Sequence, residues 1–207
     1  MPVPGFRMGW QGGYSHKPDW LKVGPIVGEF MHKHEDVTFV VAGNAPQREL
    51  LDFLPKDRVE VHDWVDTKVH PYRMMTLGLD VGLAPLVNNR FNACKSELKW
   101  VEYGAMQVPT IASNCPPYSD VIEHGKDGIL CGEKDWLPAM EALYEDAGLR
   151  KSIGWQARSR VEAEYDIAKR SKELYDFFIE SMETKSSRRQ RGPKSCLSLG
   201  GKMRIAQ

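Results

Sequence analysis

Lys95, Ser96, Lys99 and Glu102 stand close together in the run FNACKSELKWVEYGA, residues 91–105. The spacing predicts a helix from Lys95 to Met106 that carries two cations in its first turns. Cations at a helix N-terminus oppose the macrodipole, and like charges at i,i+4 repel by about 0.2–0.5 kcal/mol. An anion seated there resolves both conflicts. A diphosphate suits the place, because the free backbone N–H groups of a helix start already favour phosphate. Leu98, Val101 and Ala105 form the expected apolar face, while Lys95, Lys99 and Glu102 share another, since steps of four and seven return to nearly the same angle. The plainer alternative is a solvated face with a Lys99–Glu102 ion pair worth about 0.2–1 kcal/mol.

Two further stretches carry donors or a ring. Gly12-Gly13-Tyr14-Ser15-His16-Lys17 pairs adjacent glycines, which let backbone approach a ligand closely, with the side-chain donors of Ser15, His16 and Lys17. It matches neither a dinucleotide fingerprint nor a P-loop, and a tight strand-to-helix turn accounts for it equally well. Asp63-Trp64-Val65 offers Trp64 either as a core residue or as a ligand platform. The other histidines (His32, His34, His62, His70 and His124) lack metal-ligand spacing and read as surface or satisfied side chains. Trp136 and Trp155 read as packing residues.

The elements that must position these groups alternate. Arg7–Gln11, VTFVVA at 37–42, Arg58–His62, Asp80–Leu86, Thr110–Ser113 and Gly128–Cys131 read as strands. Helices are expected at 19–33, 46–54, 71–77, 95–106 and 118–124, then at 135–146, 149–164 and 167–182. Uninterrupted apolar strands between helices predict a parallel, doubly wound α/β sheet covered on both faces, a Rossmann-like fold. The helix near residue 95 then opens at the carboxyl edge of a strand, where such sheets bind ligands. Asn88, Asn89 and Asn92 lie beside that crossover.

The 207 residues carry 28 basic and 28 acidic side chains. Seven of the basic ones fall between Thr184 and Gln207, a stretch with no acidic residue, so residues 1–183 hold 21 basic against 28 acidic. The body is an acidic domain, which argues against nucleic-acid binding. The segment 184–207 is basic and poor in large apolar residues, and is expected to be a disordered tail. Cys94, Cys115, Cys131 and Cys196 show no metal or redox spacing and suit reduced thiols in the cytoplasm. No membrane span or signal peptide is evident.

With these residues in place, the sequence resembles the C-terminal, donor-binding domain of GT-B-type glycosyltransferases, the retaining, family 4-like enzymes. The resemblance runs from about Arg7 to Phe178. It is strongest in FNACKSELKWVEYGAMQVPTIAS (91–113), PYSDVIEHGKDGILC (117–131) and MGWQGGYSHKPDW (8–20). It implies that Glu102 binds the ribose of a nucleoside-diphosphate sugar, and that Asn92 and Cys94 to Ser96 lie by the diphosphate and sugar. It implies also that the Gly12–Lys17 loop, with Gly12, Gly13, Ser15 and His16, faces the diphosphate, while Trp64 and Val65 mark the segment that reads the base. Lys95 and Lys99 would stabilise the leaving diphosphate in place of a divalent metal, so neither metal nor cofactor is expected.

Two departures accompany the resemblance. Such enzymes usually carry a second glutamate eight positions before Glu102, where Cys94 stands here, leaving Lys95 or Glu97 as candidate substitutes. The N-terminal acceptor domain has no counterpart, and Met1–Gly5 reads as an interdomain linker. The expected function is therefore transfer of a hexosyl group to an unknown acceptor, with a separate N-terminal domain or subunit as partner. A non-catalytic nucleotide-sugar-binding or assembly module is the alternative. An epimerase of related architecture is disfavoured, because no acid/base set surrounds the donor residues.

Overall fold

The computed structural model describes residues 5–43 and 51–190. They resolve into two compact units, divided between Tyr165 and Asp166. The first unit holds β1 (Phe6–Gln11), α1 (Lys17–Lys33), β2 (Val37–Ala42), β3 (Val59–His62), α2 (His70–Thr76) and β4 (Val81–Ala84). It continues with α3 (Arg90–Ala93), α4 (Leu98–Ala105), β5 (Thr110–Ser113), α5 (Tyr118–Val121), β6 (Ile129–Cys131), α6 (Trp136–Glu145) and α7 (Ala147–Glu164). The second holds α8 (Ile167–Gln190). Residues 184–190, expected in the tail, continue this helix, because basic composition alone does not end a helix and the first breakers are Gly192-Pro193. Most of the helix expected at 46–54 lies outside the described residues, as do residues 191–207.

All pairings in the six-stranded sheet are parallel, in the order β3-β2-β1-β4-β5-β6. The fold is thus the Rossmann-like α/β sheet that the strand pattern predicts. The central strands β2 and β4 are buried on both faces, which is why they read as largely apolar runs, whereas β3, at the sheet edge, leaves Val61 exposed. Phe39 and Val41 of β2 join Met8, Trp10, Trp20, Val27 and Phe30 under α1 and α6. Val40 and Ala42 point the other way, onto Met74, Leu77 and Tyr103 of α2 and α4. The direction of winding reverses between β1 and β4, and such a switch point opens a crevice at the strands' carboxyl ends.

Helix α4 corrects the expected apolar face. Trp100, Tyr103 and Gly104 are buried, whereas Leu98 is exposed. Tyr103 lies against the bare backbone of Gly82 in β4, where a Cβ would sit 2.5 Å from its ring, and Gly104 meets Ala157 and Val161 of α7. The aromatic rings, not the smaller aliphatics, set the helix's orientation. Trp155 is also corrected: it is 58% exposed, since α7 turns Ile153, Gly154, Ala157 and Val161 inward instead. Gly82→Ala is expected to lower stability by about 1–3 kcal/mol, because a rigid ring cannot yield to the added methyl. Urea denaturation measures this, and an unchanged midpoint would contradict the close packing of α4 on β4.

Candidate functional site

The carboxyl ends of β1 to β4 and the start of α4 enclose a cleft of about 400 Å³, in the size range of small-molecule sites. Its floor is backbone. Gly43 has φ +110°, and a Cβ on it would lie 2.6 Å from the carbonyl oxygen of Gly12. A Cβ on Gly12 would in turn lie 2.6 Å from the Trp10 ring, so close approach calls for glycine at both positions, and left-handed backbone does so at Gly43.

One wall is cationic. The sequence predicts a single helix from Lys95, but the chain breaks it. Asn89 caps α3 by accepting from the backbone N–H of Asn92, tight turns follow at Cys94 and Lys95, and α4 begins only at Leu98. Lys95 thus reaches the cleft from a turn and Lys99 from the helix. The Lys95 ammonium is shielded from solvent and has no hydrogen-bond partner among the described residues. It lies 3.8 Å from Asp19 Oδ2 and over the Phe91 ring. Lys99 Nζ lies 3.1 Å from His16 Nε2. Burial, then the charge of Lys95, pushes the Lys99 ammonium down to about 8. Two like charges held together away from water are costly unless an anion joins them.

One turn further along α4 the lining becomes acidic, at Glu102. Gln11, at the end of β1, donates to Glu102 Oε2 at 2.6 Å, and His70 Nε2 lies 3.5 Å from Oε1. Burial raises the Glu102 carboxyl above its ordinary range, against the opposing pull of His70, Gln11 and Lys99. Trp64, 59% exposed, lines the cleft's rim with Val65. It is exposed at the rim and does not join the core.

Of the residues singled out in the sequence, Gly12, His16, Trp64, Val65, Lys95, Ser96, Lys99 and Glu102 line this one cleft. Gly13, Ser15, Asn92 and Cys94 do not. Ser15 and Cys94 are exposed. Asn92 is buried and engaged, its amide donating to Asp19 and to the Val87 carbonyl; it shapes the crossover loop instead of facing the cleft. Three residues escaped the sequence reading. Gln11 had one signal, a polar side chain closing an apolar strand. Asp19 had another, an acid three residues after His16. His70 had none, since only the sheet order brings α2 beside Glu102. Among the described residues, no group of three or more His, Cys, Asp or Glu side chains could hold a metal ion.

The family model described as glycosyl transferases group 1 matches residues 22–146. CapM of Staphylococcus aureus, a capsular polysaccharide biosynthesis glycosyltransferase, is 29% identical over 91 residues, which is 41% of this chain and 24% of that protein. The chain therefore spans about a quarter of the curated relative it matches. Among solved structures, HepE of Anabaena with UDP and glucose superposes with TM-score 0.69 at 15% identity, covering 86% of this chain and 49% of that one. TarM of S. aureus, solved with Fondaparinux, alpha-GlcNAc-glycerol and UDP, gives 0.66 at 15% identity, covering 83% and 35%. The C-terminal domain of LpcC from Francisella tularensis gives 0.59 at 18% identity, covering 80% and 89%. At these identities the structural likeness establishes the fold.

Proposed function

The chain belongs to the group 1 glycosyl transferases, and from that premise we propose that its cleft is the donor half of a hexosyltransferase site. The donor is a nucleoside-diphosphate sugar, with UDP as the first candidate because HepE and TarM were solved with UDP. The single observation that carries this reading is the convergence in one cleft of the Lys95 and Lys99 cations with the Gln11–Glu102–His70 acceptor cluster. Glu102 accepts from the ribose hydroxyls. Lys95, Lys99 and the backbone around Ser96 hold the diphosphate, and Trp64 with Val65 flanks the base. The leaving diphosphate gains charge as the glycosidic bond breaks. Fixed cations in a shielded wall stabilise that charge without proton transfer, so the reaction needs no metal.

The acceptor contacts come from a second domain or subunit. This is supported by the chain's 49% share of HepE and 35% share of TarM. The free thiols of Cys94, Cys115 and Cys131 support a cytoplasmic working place. A non-catalytic donor-binding module is the competing reading. It is favoured by Cys94, which stands where the family's first glutamate would and lies outside the cleft lining. The two part on turnover: with a cognate acceptor domain added, sugar transfer or donor hydrolysis that vanishes in Lys99→Ala rejects the module.

Calorimetric titration with UDP tests the donor site directly. Saturable binding, unchanged by EDTA, is the expected result. Glu102→Ala is expected to weaken it by about tenfold or more, the loss of a hydrogen bond to a charged group being worth about 1.5–3 kcal/mol. Unchanged affinity in Glu102→Ala would remove that residue from the site.

A further inference from the structure

Asp19 is only 2% exposed, yet it lies in the first turn of α1, where a solvated carboxylate would be ordinary. Its Oδ1 accepts from the Val87 backbone N–H at 2.7 Å and from Asn92 Nδ2 at 2.9 Å, while its Oδ2 lies 2.8 Å from His16 Nδ1. It thereby ties the β1–α1 loop to the β4–α3 loop beneath the cleft. His16 stands between this carboxylate and Lys99, with Nε2 3.1 Å from Nζ. The donor and acceptor roles follow by elimination. An ionised carboxylate only accepts and an ammonium only donates, so Nδ1 must carry the ring proton and Nε2 must be bare.

Resting on the donor-site reading above, we propose that Asp19 is a positioning residue for the donor's diphosphate. By fixing the Nδ1–H tautomer of His16 it presents a bare nitrogen that holds the Lys99 ammonium against the cleft. The groups facing His16 agree with a neutral ring. Its hydrogen bond to Asp19 pulls the pKa up, but burial together with Lys99 and Lys95 outweighs that pull and leaves it below the ordinary histidine value. The Asp19 carboxyl, despite a burial cost that raises it, is held below its ordinary value by His16, the Val87 N–H and Lys95.

Asp19→Asn separates this role from simple loop anchoring. The amide keeps an oxygen for Val87 and Asn92 but turns a donor toward Nδ1, so the ring proton moves to Nε2 and meets Lys99 donor against donor. A carboxylate that fixes a histidine's tautomer loses that function on change to asparagine without losing geometry. In the full chain labelled with ¹⁵N-histidine, His16 is assigned by its absence in His16→Gln. Its shifts should report Nδ1–H in the unaltered protein and Nε2–H in Asp19→Asn. Asp19→Asn should weaken UDP binding about tenfold, but less than about twofold in a His16→Ala background, the non-additivity of residues acting through one another.

A bare Nδ1 in the unaltered chain overturns the proposal, as does an equal loss in both backgrounds, which is the mark of an anchor alone. Should Asp19→Asn fail to fold, His16→Ala decides in its place: it should lose about tenfold in UDP affinity, and full affinity overturns the proposal. If UDP fails to bind the unaltered chain, the donor-site reading falls. That failure is distinguishable, because the nitrogen shifts need no ligand.

Discussion

Lys99→Met is expected to weaken UDP binding about ten- to hundredfold, since a charge-assisted hydrogen bond is worth about 1.5–3 kcal/mol, while leaving the folded chain at least as stable. The opposite signs have one cause. Lys99 is buried beside Lys95, and these two effects depress its pKa to about 8 although Asp19 and Glu102 pull the other way, so the empty site carries an electrostatic cost that a bound anion relieves. Methionine keeps most of the stem and removes the charge. The pH dependence follows. The ammonium is charged below about 8, so UDP affinity of the unaltered chain should fall as pH rises through that value, and Lys99→Met should lose this part of the profile.

Stability moves the other way. Between about 8 and the ordinary lysine range the unfolded chain holds the Lys99 proton and the folded chain does not. Stability contributed at this group therefore rises with pH across that window. Calorimetric titration and urea denaturation at pH 7 and 9.5 read both effects. A variant that binds UDP as well as the unaltered chain, or that is clearly less stable, would place Lys99 among structural residues.

Trp100→Ala should cost about 3–5 kcal/mol of stability, the range for deleting a fully buried large aromatic side chain. Trp100 is wholly buried against Ala84, Leu86 and Tyr118, with Tyr165 edge-on. Its indole N–H donates to the Asp127 carbonyl at 2.9 Å. That carbonyl belongs to a turn whose carboxylate is itself paired with Arg160 at 2.7 Å, so the ring fastens α4 to both neighbours. Because Lys99 and Glu102 flank Trp100 on the same helix, UDP binding should weaken together with stability, unlike in Lys99→Met. Urea unfolding read by circular dichroism measures the loss; a cost below about 1 kcal/mol would contradict the assigned packing. Trp100→Phe should cost less, yet more than its volume change alone, because the Asp127 carbonyl loses its donor.

Much of this architecture is legible along the chain. VTFVVA, with Thr38 its one polar residue, and VGLA are otherwise without polar side chains, and strands covered on both faces favour that pattern. The segment from Asn92 to Glu102, placed after such a strand, marks the cationic edge before any coordinates. Periodicity misjudged α4, however. Leu98, Val101 and Ala105 have the helical spacing of a buried face, but Trp100 and Tyr103 bury far more area and take the inner side. The same local preference misses the break before Leu98, which depends on Asn92 reaching Asp19, 73 residues away.

The alternation of strand and helix, the doubly covered strands that imply a parallel sheet, and the company of Lys95, Lys99 and Glu102 are all legible along the chain, because each shows as a pattern only a few residues long. That Gln11 and His70 attend Glu102, that His16 and Asp19 gather by Lys99, and that Asn92 turns away from the cleft emerges only once the sheet is assembled. Those partners lie on β1, α1 and α2 and meet the start of α4 only because the sheet order is β3-β2-β1-β4-β5-β6. Side-chain periodicity records which way a residue faces on its own element. Which elements converge at one edge is fixed by the crossovers, and those respond to the packing of the whole sheet.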